Sequence, residues 1–404
     1  MFSRSIHGGI GFQPVALKIT GWKPIPRQNS DGTEMARRWH GDGTEMAGRW
    51  LGDGWEMAGM NDRSGRVSFA LGREFVSSVW LSAAIYFMLL PWVHSAVLVA
   101  QNQNQNEVEL LKQKVFSSIN ADESQDFRRK GLPQRGDWLA QFPEAGQSLE
   151  LYKTKDSRIL TTPKRRRIVL QPLGEFSVEQ KLLLEALREY AQVYFQMDVR
   201  IASSIRLLSP EKSRLGRSLP EDVGTNRTAR QYDAMKLVNE LLLKKLPDDA
   251  AVYLGITMED LYAKDMNYVF GYGSFDQRTG VYSLARYFPE FWNEPSDERS
   301  KTVALRRAFK VLNHETSHVF GLKHCIFYDC TMNGGNSLEE ADATSMHECP
   351  VCHQKLRWNL KFDPVFRFKS LKTIYQKHGL NEEAAWMAKR IENWQLANRQ
   401  DRAK

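Results

Sequence analysis

Hydrophobic and polar positions divide the chain into a part that reads as a fold and a part that does not. From about residue 165 onward, apolar runs of strand length alternate with stretches of helical spacing. Ile168 to Leu173 is a short apolar run after Arg167, ending in Pro172-Leu173-Gly174, and predicts a strand. Val178 to Phe195 carries Leu182, Leu183, Leu187, Tyr190, Val193 and Tyr194 at helical spacing and predicts an amphipathic helix. A second helix is expected from about Ala229 to Lys245. Ala251 to Thr257, AVYLGIT, reads as a buried strand. Tyr268 to Gly273 and Val281 to Tyr287 read as strands joined by a turn near 274 to 280. A third helix is predicted over about Lys301 to Phe320, and residues 364 to 400 read as helical and strongly polar. Strands alternating with helices imply an α/β layer fold.

Upstream of this region the pattern changes. Residues 1–74 read as a low-complexity, disordered extension. Asp31, Asp42 and Asp53 each open a unit of the type DGTEMARRWHG, but each glycine costs a helix about 1 kcal/mol and the units are too short for a solenoid. Residues 75–100 contain the chain's apolar segment, Phe75 to Val93, which carries no charge. Arg63, Arg66 and Arg73 precede it and His94-Ser95-Ala96 follows, the layout of a secretory signal or a membrane anchor. Residues 101–163 are polar and dotted with proline and are expected to be a linker or pro-segment. Residues 164–400 are expected to form the folded domain.

Composition adds two constraints. The whole chain is 42% apolar and 26% charged, enough for its C-terminal region to bury a core. The net charge of +8 is spread along the chain apart from Lys164-Arg165-Arg166-Arg167. No dense basic patch interleaved with aromatics is present, so no nucleic-acid partner is expected. The four cysteines, Cys325, Cys330, Cys349 and Cys352, are clustered rather than scattered. They read as thiolate ligands of one tetrahedral zinc, the alternative being two local disulfides.

The third helix carries the candidate chemistry, in HETSHVFGLKH, residues 314–324. His314 and His318 are four apart, so a helix sets both imidazoles on one face within reach of one metal ion. Glu315 is offset by roughly a quarter turn, placed to reach a water at the metal without being a ligand. Gly321 can end the helix at positive φ and return the chain so that His324 becomes a third ligand. Three histidines leave a fourth zinc position for water. Zinc is expected to lower the pKa of that water towards about 7. Glu315 then serves as general base and returns the proton to the leaving amine. His347, His353 and His378 fit no ligand spacing.

With the cysteines added, the pattern is HExxHxxGxxHC, four residues, Cys330, one residue, Met332, sixteen residues, then CxxC. This resembles the archaemetzincin family of zinc peptidases over residues 314–358. A weaker resemblance runs upstream through Pro172-Leu173-Gly174, Arg230 to Ala234 and Ser283 to Arg286. The resemblance implies a metzincin-like zincin fold, with a mixed sheet over an active-site helix and a small C-terminal subdomain bearing a zinc held by four cysteines. It implies two zinc ions, one catalytic on His314, His318 and His324 and one structural on Cys325, Cys330, Cys349 and Cys352. It implies Met332 as the apolar floor beneath the catalytic zinc. It departs at Thr316-Ser317, where an aliphatic residue and then glycine are usual.

The expected activity is zinc-dependent hydrolysis of peptide bonds in a peptide or protein substrate by a monomer. Substrate is expected as an added strand on a sheet edge, with Val281 to Arg286 as the candidate edge. The competing reading is a zinc-bound but inactive peptide-binding module, against which the retained Glu315 argues. Location is in conflict. The resemblance implies an intracellular protein. The 75–93 segment and the sequon Asn226-Arg227-Thr228 favour the secretory route or membrane association.

Overall fold

The structure is a computed structural model that describes residues 105–154, 159–218, 230–264 and 266–402. The repeat at 31–60, the apolar segment at 75–93 and the sequon at Asn226 lie outside the described residues. All described residues belong to one compact unit, Leu98–Lys404.

The chain enters through a helix over 105–118 (α1) and three short ones, Ala121–Ser124 (α2), Trp138–Gln141 (α3) and Leu149–Thr154 (α4). This stretch, expected as linker or pro-segment, is packed against the rest: Tyr152 is fully buried and its hydroxyl donates to Phe320 O at 2.8 Å. The central sheet then forms from β1 (Arg167–Leu173), β2 (Asp198–Ile201), β5 (Ala250–Thr257), β7 (Gly271–Gly273) and β8 (Thr279–Ser283). Its order is β2-β1-β5-β8-β7, parallel except for β7, which runs antiparallel to β8. A second sheet pairs β3 (Gly216–Ser218), β4 (Arg230–Asp233) and β6 (Asp260–Tyr262).

Alternation along the strands builds two cores. Ile168, Leu170, Val252, Leu254 and Tyr282 face α5 (Val178–Phe195) and α8 (Glu298–Val319). Val169, Tyr253 and Val281 face the opposite side, against Leu237, Val238 and Leu242. Both long helices start at reciprocal caps: Ser177 with Gln180, and Asp297 with Ser300. The two helices join where the Tyr190 ring stacks on Phe309 at 4.0 Å and the tyrosine hydroxyl accepts from Asn313 at 2.7 Å. This seam fixes the rotation of α8, and so the face that its histidines present.

Two expectations change. The helix expected from 229 to 245 begins later. A single turn, Pro210–Ser213 (α6), leads into β3, and residues Arg230–Asp233 are β4. The Asp233 side chain caps the helix behind it by accepting from Met235 N and Lys236 N. That helix, Ala234–Lys236 (α7), widens into a π-helical stretch over Leu237–Leu242. Val281 to Arg286 is not a sheet edge. Only its first three residues belong to β8, which is hydrogen-bonded on both sides, and Ala285–Tyr287 is a 3-10 turn; the edge is β7. The polar C-terminal region forms helices Leu338–Ala343 (α9), Pro350–Leu360 (α10), Pro364–Lys377 (α11) and Asn381–Arg402 (α12). Arg367, 1% exposed, reaches back from α11 to both carboxylate oxygens of Glu348, just before Cys349. Although burial opposes ionisation of Glu348, this guanidinium holds its carboxyl well below the usual range.

Candidate functional site

Helix α8 ends where its sequence says it should. Gly321 takes φ of 89°, Gly321 N donates to His318 O at 2.8 Å, and Leu322 N donates to Ser317 O at 3.0 Å. This pair of bonds is the Schellman closure that a left-handed glycine permits. The turn does more than stop the helix. It swings Leu322 O under His318, whose Nδ1 lies 2.7 Å from it, and brings His324 back to the helix.

The ligating atoms of His314, His318 and His324 all lie within 4.8 Å of one another. The Nδ1 atoms of His314 and His318 face carbonyl oxygens, at 2.8 Å to Thr331 O and 2.7 Å to Leu322 O. His324 Nδ1 faces the Glu144 carboxylate at 2.6 Å. Since those oxygens only accept, each Nδ1 carries the proton in the neutral ring and each Nε2 is a bare lone pair. Yet His314 Nε2 and His318 Nε2 approach to 2.9 Å. Two lone pairs at that separation repel unless a cation lies between them, so the residues present fit a metal ion. Burial, followed by the mutual repulsion of the imidazoles, pushes His314 well below its ordinary pKa and His318 down to about 3. Both rings are neutral donors at physiological pH.

Glu315 is on the same helix, 5% exposed, and burial pushes its carboxyl up to about 8. Edge strand β7 lies directly against it. A Cβ added to Gly271 would sit 2.4 Å from Glu315 Oε1, and one added to Gly273 would sit 2.8 Å from His318 Cβ. The sequence Gly-Tyr-Gly thus lets the strand approach the helix as no bulkier alternation would.

The four cysteines also converge, buried and free, with their sulfurs within 4.8 Å of one another. Cys325 Sγ and Cys349 Sγ are 3.6 Å apart, far from a bond of about 2.05 Å, so the disulfide alternative is not realised. Cys349 is the residue just before α10, without a side-chain capping bond, and Cys352 lies in the helix's first turn. Cys330 Sγ accepts from Cys349 N at 3.2 Å and from Met332 N at 3.5 Å. Met332 is fully buried, and its carbonyl accepts from Cys325 N at 2.7 Å.

Archaemetzincin-2 of Homo sapiens is 31% identical to this chain over 301 residues, covering 68% of this chain and 81% of that protein. The chain belongs to the archaemetzincin family. The sequence model of Peptidase family M54 matches residues 168–358. The archaemetzincin of Methanocaldococcus jannaschii is 30% identical over 191 residues, 47% of this chain and 93% of that one. A crystal structure of archaemetzincin from Methanopyrus kandleri aligns at 28% identity and a TM-score of 0.37, covering 50% of this chain and 98% of that one. As an archaemetzincin the chain is a zinc-dependent metallopeptidase, and its substrates are peptides or proteins. Among the described residues no helix is long and apolar enough to cross a membrane.

Three residues of this archaemetzincin site escaped the sequence reading. Glu144 precedes the expected domain and has no motif. Asn333 accepts from Cys330 N at 2.8 Å and donates to Cys325 O at 2.6 Å, so one side chain ties two thiol-bearing residues together. Lys355 is fully buried and among the described residues its Nζ has no hydrogen-bond partner; although burial opposes ionisation of Cys325, the three neighbouring cysteines and then the Lys355 charge hold that thiol well below its ordinary range. The spacing of Lys355, three from Cys352 on a helix, was the available signal. His347 and His353 are buried but join neither cluster. His347 stacks on Trp386 at 3.9 Å, and His353 Nδ1 faces Glu348 at 2.9 Å.

Proposed function

We propose that His314, His318 and His324 hold the catalytic zinc and that Glu315 is the general base for peptide hydrolysis. The observation that carries this is the convergence of three Nε2 lone pairs, each ring oriented by a bond at Nδ1, beside a desolvated carboxylate on the same helix. Zinc bound there supplies Lewis acidity, lowering the pKa of a water towards about 7 and polarising the scissile carbonyl. The chain's own part is proton movement and placement. Glu315, whose proton affinity burial raises, accepts a proton from the attacking water at a carboxylate oxygen and returns it to the departing amine. The β7 strand, whose outer edge pairs with no other strand among the described residues, would align the substrate backbone as an added strand beside Glu315.

The same reading assigns a second, structural zinc to Cys325, Cys330, Cys349 and Cys352. These residues would form a small C-terminal subdomain of a metzincin-like zincin fold spanning 164–400, active as a monomer. Met332 would close the floor under the catalytic ion, and Gly321 would set the turn that delivers His324. Replacing Glu315 by Gln tests the assignment. Hydrolysis of a fluorogenic peptide library is expected to fall at least about a hundredfold, within the range for general acid–base catalysis. Zinc content is expected to stay at the wild-type value. Substantial activity at unchanged zinc content would refute the role of Glu315.

A further inference from the structure

His314 and His318 sit on a capped helix and are oriented by backbone carbonyls. His324 sits in a loop, and its Nδ1 partner is a side chain, Glu144, from a segment that precedes the family match at 168. That carboxylate is itself anchored: Trp138 Nε1 donates to Glu144 Oε1 at 2.6 Å, and the indole meets the His324 ring edge-on at 5.1 Å. Trp138 is fixed in turn. Its backbone N–H donates to the Glu340 carboxylate at 3.0 Å, and its ring lies so close to Gly334 that an added Cβ there would come within 2.4 Å. Three residues beyond Glu144, the fully buried Gln147 grips the loop on both sides of Leu322. Its Nε2 donates to Gly321 O at 3.1 Å and its Oε1 accepts from Lys323 N at 3.1 Å. Tyr152 holds Phe320 O. The segment 138–152 therefore touches Phe320, Gly321, Lys323 and His324, most of the turn that carries the third imidazole.

We propose that Glu144 is a positioning residue for the peptidase site: its carboxylate fixes the tautomer and aim of His324, and the segment 138–152 is a strap built into the catalytic unit. The inference rests on the three-histidine zinc reading. A carboxylate behind a ligating imidazole fixes which nitrogen is bare and raises its basicity, and loss of such a partner costs about 10–100-fold in metal affinity or activity. Gln147 and Tyr152 hold the loop backbone, but Glu144 alone among the strap's described contacts bonds the ring.

The test uses the full chain with Glu144→Gln, which keeps the shape and removes the charge, and Glu144→Ala beside it. His318→Ala is the reference. Zinc affinity is read by competition with a chelator, and the His-ligated ion is distinguished from the thiolate-ligated one by cobalt substitution and visible absorption. His318→Ala is expected to lose one ion of two. Glu144→Gln is expected to keep both. Its His-ligated ion should bind about tenfold more weakly and kcat should fall with KM little changed, while the thiolate-ligated ion stays at wild type. If Glu144→Ala does not fold, the Gln variant alone decides. Wild-type affinity and kcat in Glu144→Gln, with one ion lost in His318→Ala, would overturn the role of Glu144 and leave the zinc reading intact. Unchanged metal content in His318→Ala would overturn the zinc reading itself.

Discussion

Replacing Gly271 by alanine adds one methyl group where β7 meets the catalytic helix. The added Cβ would lie 2.4 Å from Glu315 Oε1, 2.6 Å from Cδ and 2.7 Å from Cγ, against an ordinary contact beginning near 3.4 Å. The carboxylate must therefore move by about 1 Å, the difference between those two separations. It has little room to do so, because Glu315 is 5% exposed and Gly273 lies against its other oxygen, where an added Cβ would be 3.3 Å away. Gly271 is not among the positive-φ glycines, so the effect is steric rather than conformational. A displacement of about 1 Å at a reacting group costs on the order of a hundredfold in rate. That corresponds to about 2.7 kcal/mol of transition-state stabilisation. Overpacking adds about 1–3 kcal/mol of destabilisation, which a thermal midpoint would report separately. The assay is kcat and KM on a fluorogenic peptide, with zinc measured on the same sample. Gly335→Ala is the control, since its nearest atoms would lie at 3.6 Å. Wild-type kcat in folded Gly271→Ala would refute the claim that β7 holds Glu315 in place. Loss of zinc with the activity would shift the effect to His318.

Two further outcomes are expected. Cys349→Ser touches only the thiolate cluster, but the Cys325 it leaves behind neighbours His324. The variant should lose the thiolate-held zinc and also bind the histidine-held zinc more weakly, and full content of both metals would reject the coupling. Burial pushes Lys310 down to about 7, although its Nζ donates to Thr344 O at 2.9 Å. The unfolded chain, with a lysine pKa near 10.4, binds the extra proton between about pH 7 and pH 10. Stability should therefore rise with pH across that window, by at most about 1.4 kcal/mol per unit from this group. Lys310→Met should lose that increment between pH 7 and pH 9.5 in urea melts; parallel pH profiles for the two proteins would exclude it.

The elements that local pattern controls were legible. Val178 to Phe195 emerges with the predicted bounds because a capping box and an amphipathic stripe point the same way. The cluster of three histidines follows from helix geometry and one glycine, both local. Thr316 and Ser317, poor helix formers by type, are buried without disturbing the helix. What was not legible depends on pairing between distant segments. Arg230–Asp233 is extended because β3 and β6 hydrogen-bond to it, and no periodicity in four residues announces that. The sheet edge was misplaced for the same reason: Val281 and Gly271 differ in exposure only once the strand order is known. Glu144 lies 180 residues before His324, and a single acidic residue in a polar stretch has no sequence signal.

The histidine and cysteine clusters share one piece of backbone, and this bears on how the site keeps its geometry. Thr331 O faces the His314 ring, while the next carbonyl, Met332 O, accepts from Cys325 N. Asn333 then ties Cys330 N to Cys325 O. Successive peptide units cannot shift independently, so the register of Thr331 to Asn333 sets a histidine on the helix and a cysteine beside the third histidine together. The strap closes the same loop from the opposite side, at Gly321, Lys323 and His324. His324 is thus located by covalent attachment to Cys325 and by a carboxylate from the strap, rather than by a helix of its own. Restraint from two directions is what an imidazole on a loop needs to match the precision that α8 gives the other two histidines.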